Sequence, residues 1–201
     1  MSADQLTALI VFAAAASFTP GPNNAIAAAT GANFGFRAVL PHVFGVPVGF
    51  TSMLLAAAGG VAALLLATPA LSTSLKWVGV AYLLWLAWQL AQPAAVNAKT
   101  GGPFTLPLGF TQSALFQYLN PKAWMFALAT TTTFVAGEQP LRRAVIVVVV
   151  CAVFALASIV LWGWAGATLR EWLRQGHRLR LFNLVMGALL AATALWMGLA
   201  A

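Results

Sequence analysis

The chain has 201 residues, of which 62% are apolar and only 6% charged, with a mean hydropathy of +0.90. A water-soluble domain carries about 25% charged residues because its surface must face water. Ten Lys or Arg and three Asp or Glu cannot cover a globule of this length, and an ordinary soluble enzyme is excluded.

The charges lie between long charge-free runs, over 5–36, 38–75, 77–98, 100–121, 123–137, 144–169 and 181–201. A helix rising 1.5 Å per residue needs roughly 20 apolar residues to cross a hydrocarbon core of ~30 Å. Several runs are long enough to cross once, so the composition predicts a polytopic membrane protein. The spans are expected to be helical, since a helix satisfies its own backbone in lipid. No short segments of strict apolar and polar alternation suggest a β-barrel.

In chain order, the first hydrophobic region runs from Gln5 to about Phe34 and is interrupted by Pro20-Gly21-Pro22-Asn23-Asn24. The second covers about Ala38 to Ala67 and contains Pro41 and Pro47. A turn at 68–74 leads to the third, about Leu75 to Ala91, and a Pro/Gly-rich linker follows. The fourth runs from Leu108 to Ala136 and is interrupted at Asn120-Pro121-Lys122. The fifth covers about Arg143 to Leu169 and the sixth about Leu181 to Ala200, with a basic loop between them. The expected fold is all-α, with six transmembrane helices of which the first and fourth are broken at proline.

Each half opens with a proline-interrupted region, and Pro22 and Pro121 lie about one hundred residues apart. Three spans is an odd number, so a duplicated second half would be inverted relative to the first. The expected organisation is a three-helix half over 1–92, a linker over 93–107 and a second half over 108–201, in one membrane domain. Broken helices in corresponding positions of inverted halves point to a transporter's binding site. A pair of ordinary proline kinks is the alternative.

The net charge of +7 forms no continuous basic stripe, so a nucleic-acid partner is not expected. Most basic residues flank apolar segments, as topology signals do. Arg37, Lys99, Arg170, Arg174, Arg178 and Arg180 fall on one face of a six-span chain. Lys76, Arg142 and Arg143 fall on the other, beside Asp4 and Glu138. The count places the 170–180 loop in the cytoplasm and both termini in the periplasm.

Chemistry concentrates at the two breaks. Two prolines around Gly21 open a helix and leave carbonyls unpaired on one side and N–H groups on the other. Asn23 and Asn24 then begin the next half-helix, where amides and the positive dipole end suit a carboxylate. At the second break, Ser113, Gln117 and Asn120 recur on one helical face leading to Lys122. A Lys amid apolar sequence costs roughly 3 kcal/mol at a membrane centre, so Lys122 either faces a cavity or snorkels to the interface with 108–119 lying flat. The candidate substrate-binding residues are Pro20, Gly21, Pro22, Asn23, Asn24, Gln117, Asn120, Pro121 and Lys122. His42 is a candidate proton relay. Gly31 with Gly35, and Gly45 with Gly49, have the spacing of close helix packing.

No Asp or Glu lies within a span, and no metal set, phosphate loop or nucleophile constellation is visible. Neither a cofactor, nor a metal, nor an enzyme activity is expected. The lone Cys151 reads as packing.

The residues at these positions resemble a known family. Pro20-Gly21-Pro22-Asn23-Asn24 is similar to the proline-glycine-proline signature of the lysine exporter superfamily, which includes the homoserine/threonine resistance exporters. Gly35-Phe36-Arg37 with Gly45-x-x-x-Gly49 resembles its second block. Lys76-Trp77-x-Gly79-x-Ala81-Tyr82-Leu83 resembles its third, and Asn120-Pro121-Lys122-Ala123 its fourth. The blocks come in order and span essentially the whole chain. The resemblance implies a multi-pass protein of the bacterial inner membrane that exports amino acids, coupled to the proton gradient. The short length and the Pro-Gly-Pro-Asn-Asn form look most like the cysteine/O-acetylserine exporter branch. Val39 stands where the family often has glycine, and Asn23 where many members carry Asp, which argues against cationic substrates. The expected function is export of small neutral amino acids or derivatives, such as cysteine, O-acetylserine or threonine. The alternative is a membrane assembly protein that moves nothing. The expected partners are a small amino acid and the lipid bilayer, with self-association left open.

Overall fold

The computed structural model describes residues 1–92 and 107–199. The expected linker, apart from Pro107, and Lys99 lie outside the described residues. Among those residues the regular structure is entirely helical. Helix α1 (Ala3–Phe18) starts at a capping box in which Ser2 and Gln5 satisfy each other's backbone N–H. After a break at 19–21, α2 (Pro22–Phe34) begins with proline in its first turn. That position needs no N–H, so Pro22 starts the helix instead of breaking it. The two helices bend by 50° across the break.

Gly35 ends α2 with φ +89, a left-handed value that favours glycine. A 3₁₀ turn (Phe36–Val39) then leads into α3 (Leu40–Ala56). The chain kinks at Gly60 and continues as α4 (Ala62–Ala67) and α5 (Pro69–Ala91). The second half opens with α6 (Phe110–Phe116), a 3₁₀ turn (Gln117–Leu119) and α7 (Pro121–Thr130). It closes with α8 (Pro140–Thr168), the short α9 (Arg170–Leu173) and α10 (Arg178–Leu199).

Four stretches are long and apolar enough to cross a membrane: Phe36–Val61, α5, α8 and α10. The bent pair α1 and α2 makes a fifth. The fourth region is broken at proline, as the sequence predicts, and none of its pieces reaches crossing length by itself. Asn120 takes extended backbone angles there, and Pro121 removes an N–H, so the segment divides into α6, the 3₁₀ turn and α7. The chain is an all-α polytopic membrane protein with helix breaks before Pro22 and Pro121.

The principal helix contacts run between the halves. α2 and α1 pack on α8, α6 and α7 pack on α3, α3 packs on α8, and α5 packs on α10; α2 also packs on α10, and α7 less extensively on α5. Exchanging the halves interchanges the first two sets, leaves the next two unchanged and interchanges the last two.

Small residues set the closest approaches. A Cβ on Gly31 would come 2.1 Å from the Gly163 carbonyl oxygen, and one on Gly166 would come 2.1 Å from that of Ala28. On the other side, Cβ atoms on Gly45 and Gly49 would lie 2.5 Å from the Phe110 carbonyl oxygen and 2.2 Å from that of Ala114. These backbones therefore touch, as small-residue helix interfaces allow. Gly35 is a turn residue and makes no such contact, so the Gly31/Gly35 spacing marks one packing glycine and one helix terminator. α6 packs along α3 at Gly45 and Gly49. Cys151 is buried in an apolar cluster with Leu9, Ala13, Met53 and Val147.

Candidate functional site

Nine polar side chains are buried among the described residues, and six of them, Asn24, His42, Ser113, Gln117, Asn120 and Ser158, gather where the two breaks meet. An unpaired buried polar group costs several kcal/mol in hydrocarbon, so each needs a partner. The six at the breaks all find partners, most of them across helix interfaces, whereas Thr30 Oγ1 on α2 has none.

The first break leaves the carbonyls after α1 without helical donors. Asn24 turns back from α2 and donates its Nδ2–H₂ to the carbonyls of Ser17 at 2.8 Å and Thr19 at 3.0 Å. Ser158 on α8 donates its hydroxyl to the Ser17 carbonyl at 2.7 Å and lies 3.0 Å from Asn24 Oδ1. Its single proton is shared between those two acceptors. Lys122, from the second break, places Nζ 3.1 Å from the Thr19 carbonyl oxygen and 3.5 Å from that of Pro20. Thr19 donates its own hydroxyl back to Ala15. The opened backbone is thus held by side chains from α2, α7 and α8.

Asn23 and Gln117 bridge the two broken regions. Asn23 Nδ2 donates to Gln117 Oε1 at 2.9 Å, and Gln117 Nε2 donates to Asn23 Oδ1 at 3.2 Å and to the Ser113 carbonyl at 2.9 Å. Behind them His42 joins α2, α3 and α6. Its Nε2 lies 3.2 Å from the Asn23 carbonyl and its Nδ1 lies 2.9 Å from Ser113 Oγ. A carbonyl can only accept, so Nε2 carries a proton, and in the neutral ring Nδ1 accepts from the Ser113 hydroxyl. At the second break, Asn120 Oδ1 accepts from the Lys122 backbone N–H at 3.1 Å and caps α7, the usual task of an N-cap asparagine.

These groups surround a cavity of about 70 Å³, where one buried water needs roughly 10–15 Å³. Of the sequence-derived candidates, Gly21, Pro22, Asn23, Asn24, Gln117, Asn120 and Lys122 line it. Pro20, Pro121 and His42 do not. The remaining wall includes Ser158, Ile159, Phe50 and Phe126. The Phe50 and Phe126 rings stack with centroids 5.2 Å apart, and Phe12 lies 5.2 Å from Phe126 on its other side.

Sequence reading missed Ser158. Its signal was available, because Ser158 is the only hydroxyl between Ala144 and Gly166. It also missed Asn183, which exchanges amide hydrogen bonds of 2.8 and 3.2 Å with Asn33 between α10 and α2. At the end of α7, Thr130 bonds back to the Phe126 carbonyl and Thr132 to that of Leu128, whereas Thr131 Oγ1 is buried without a hydrogen-bond partner. No carboxylate lines the cavity. Among the described residues no three His, Cys, Asp or Glu side chains are grouped to hold a metal ion.

Comparison with known proteins places this geometry in a family. The LysE type translocator family matches residues 14–200. The cysteine/O-acetylserine efflux protein of Salmonella paratyphi A is 32% identical over 190 residues, covering 94% of this chain and 95% of that one. The protein of the same name from Escherichia coli O1:K1 / APEC is 32% identical over 196 residues, covering 96% and 97%. No solved structure matches the chain significantly. A paired-break, multi-pass helical chain matched over nearly its whole length belongs to the LysE type translocator family, and is a membrane transporter, not an enzyme.

Proposed function

We propose that this protein exports small neutral amino acids or their derivatives, of the cysteine, O-acetylserine or threonine type, from the cytoplasm across a bacterial inner membrane. The observation that carries the reading is the cavity between the two breaks. It combines an exposed helix start, a lysine and amide side chains with the absence of any carboxylate on its wall. The names of the relatives support the same substrate class.

The backbone N–H groups of the first turn of α2 have no intrahelical acceptors and carry the positive end of the helix dipole. They face the substrate carboxylate, with Asn23 beside them and Asn24 fixing the break. Gln117 and Asn120 offer amide oxygens to the substrate ammonium. Lys122, with two of its three donors directed at Thr19 and Pro20, presents the third toward the carboxylate. Space on the order of six water-sized groups fits a small amino acid and not a long side chain.

Alternating access follows from two inverted three-helix halves around this centre, 1–92 and 108–201. The interchange of the α1/α2–α8 and α6/α7–α3 contacts supports that duplication. Rocking one half against the other would open the cavity first to the cytoplasm and then to the periplasm. Coupling to protons is assigned to the chain from Asn23 through His42 to Ser113, the titratable link behind the site.

The test is counterflow in proteoliposomes with a panel of labelled amino acids. Exchange of cysteine or O-acetylserine above empty vesicles is expected. Exchange of no amino acid, or of lysine and arginine alone, would overturn the reading.

A further inference from the structure

The first break exposes the negative end of α1, a helix of 16 residues, whose last carbonyls carry the partial negative charge of the dipole. Unwound carbonyls and half-helix C-terminal ends are where broken-helix transporters seat a monovalent cation. Here that position already holds a positive charge. Lys122 crosses from the start of α7 and sets its ammonium 3.1 Å from the Thr19 carbonyl and 3.5 Å from the Pro20 carbonyl.

Three further observations show that the fit is built. Gly21 provides the room, since a Cβ there would come 2.8 Å from Lys122 Nζ and 3.1 Å from Cδ. Its φ of −175 is ordinary extended backbone, so the glycine serves space and not conformation, and a larger residue would push the flexible end of Lys122 aside. Asn120 caps the Lys122 backbone N–H and fixes where the side chain departs. Finally, the three acidic residues lie elsewhere: Asp4 in the first turn of α1, Glu138 between α7 and α8, and Glu171 in α9. The ammonium is therefore met by carbonyls alone.

We propose that the ammonium of Lys122 is a tethered cation that permanently fills a monovalent-cation seat formed by the Thr19 and Pro20 carbonyls. The seat needs a positive charge to hold the break open, and the chain supplies its own. Export then requires no sodium ion, and the seat is closed to the ammonium of the substrate. Lys122 acts here as a positioning residue for the break, in addition to the contact with substrate proposed above. The two roles separate experimentally, because filling the seat affects the protein without any amino acid present.

Thermal unfolding and export are measured for the native protein, Lys122→Ala and Lys122→Met, with methylammonium, sodium or choline added. Lys122→Ala empties the seat, so its melting temperature should rise with methylammonium or sodium in a saturable way. Its export should fall about tenfold or more, as for loss of one charge-assisted contact, and recover in part with the same small cations. Choline, too bulky for the seat, should do neither. Lys122→Met fills the space without charge and should not respond. The native protein should be indifferent to all three.

A native protein stabilised by sodium or methylammonium would overturn the proposal, because its seat would then be vacant. So would a folded Lys122→Ala that ignores every small cation. If Lys122→Ala does not accumulate, Lys122→Ser is measured in its place, and the native arm stands regardless. Cation-dependent melting without export of any amino acid would sink the transport reading and leave this one standing. Native export of cysteine with no cation response in the variants would do the reverse.

Discussion

Asn23 and Gln117, 94 positions apart in the chain, exchange two amide hydrogen bonds of 2.9 and 3.2 Å across the interface between the two broken regions. Each belongs to a different half, and each sits beside the break of its own half. The two side chains satisfy one another, so a ligand entering the cavity would have to exchange its own hydrogen bonds for theirs. In the function proposed above, the pair is both a latch and a recognition element.

Replacement of either member tests this. Asn23→Ala leaves the buried Gln117 amide without its partner, at a cost of about 1–3 kcal/mol, and the same holds in reverse. Melting temperatures of the two single variants and the double variant should show coupling of about 0.5–2 kcal/mol. Export should be lost in all three while the protein remains in the membrane. Export of Asn23→Ala at the parental rate would remove Asn23 from the site.

Ser158 predicts a smaller and more selective effect. Ser158→Ala deletes the contacts to the Ser17 carbonyl and Asn24 Oδ1, which leaves Asn24 held at the break only by its own two donations to Ser17 and Thr19. Stability should fall by about 1 kcal/mol, and export should drop several-fold more than that loss of folded protein explains. Quantified membrane abundance beside initial export rates separates the two.

The helix contacts predict a sharp contrast between glycines. Gly31→Ala puts a methyl group 2.1 Å from the Gly163 carbonyl oxygen, so α2 and α8 must part. Overpacking of this kind costs typically about 1–3 kcal/mol, visible as a lowered melting temperature in detergent. Gly59→Ala meets nothing within 4 Å and should melt with the native protein. Equal behaviour of the two would contradict the packing described.

Substrate charge gives the next expectation. A second ammonium brought into the cavity would find no carboxylate on its wall, and desolvating an unpaired charge is costly. Cells loaded with each amino acid in turn should therefore release cysteine, O-acetylserine, serine or threonine, and not lysine or arginine. Asn23→Asp should weaken export of zwitterions, since a carboxylate at the start of α2 repels that of the substrate. Lysine efflux without efflux of the neutral amino acids would refute the charge argument.

Orientation is tested separately. Gly35 and Arg170 lie at one end of the molecule, with a guanidinium nitrogen of Arg170 3.6 Å from where a Gly35 Cβ would stand. If the excess of positive charge marks the cytoplasmic side, as expected from the sequence, the C-terminus lies outside. A fluorescent protein that matures only in the cytoplasm, fused after residue 201, should stay dark. Strong fluorescence in intact cells would reverse the assignment.

The amino-acid sequence by itself determined the membrane character, the helical class and the positions of both breaks. These are local consequences: apolar runs of sufficient length, a proline that lacks an N–H, and glycines at helix-packing spacing act within a few residues. It also named most of the polar side chains on the cavity wall, because polar groups beside a helix break have few places to go in lipid. It did not determine who partners whom. That Asn24 turns back to the Ser17 and Thr19 carbonyls, that Lys122 reaches the end of α1, and that Ser158 completes the break depend on α2, α7 and α8 meeting. Those meetings are long-range, and that of α2 with α8 is set by backbone approach at Gly31 and Gly166. The fourth region is divided where the sequence placed its break, at Asn120-Pro121. Hydropathy counts apolar residues without regard to direction, whereas Asn120 in extended conformation redirects the chain at a single residue.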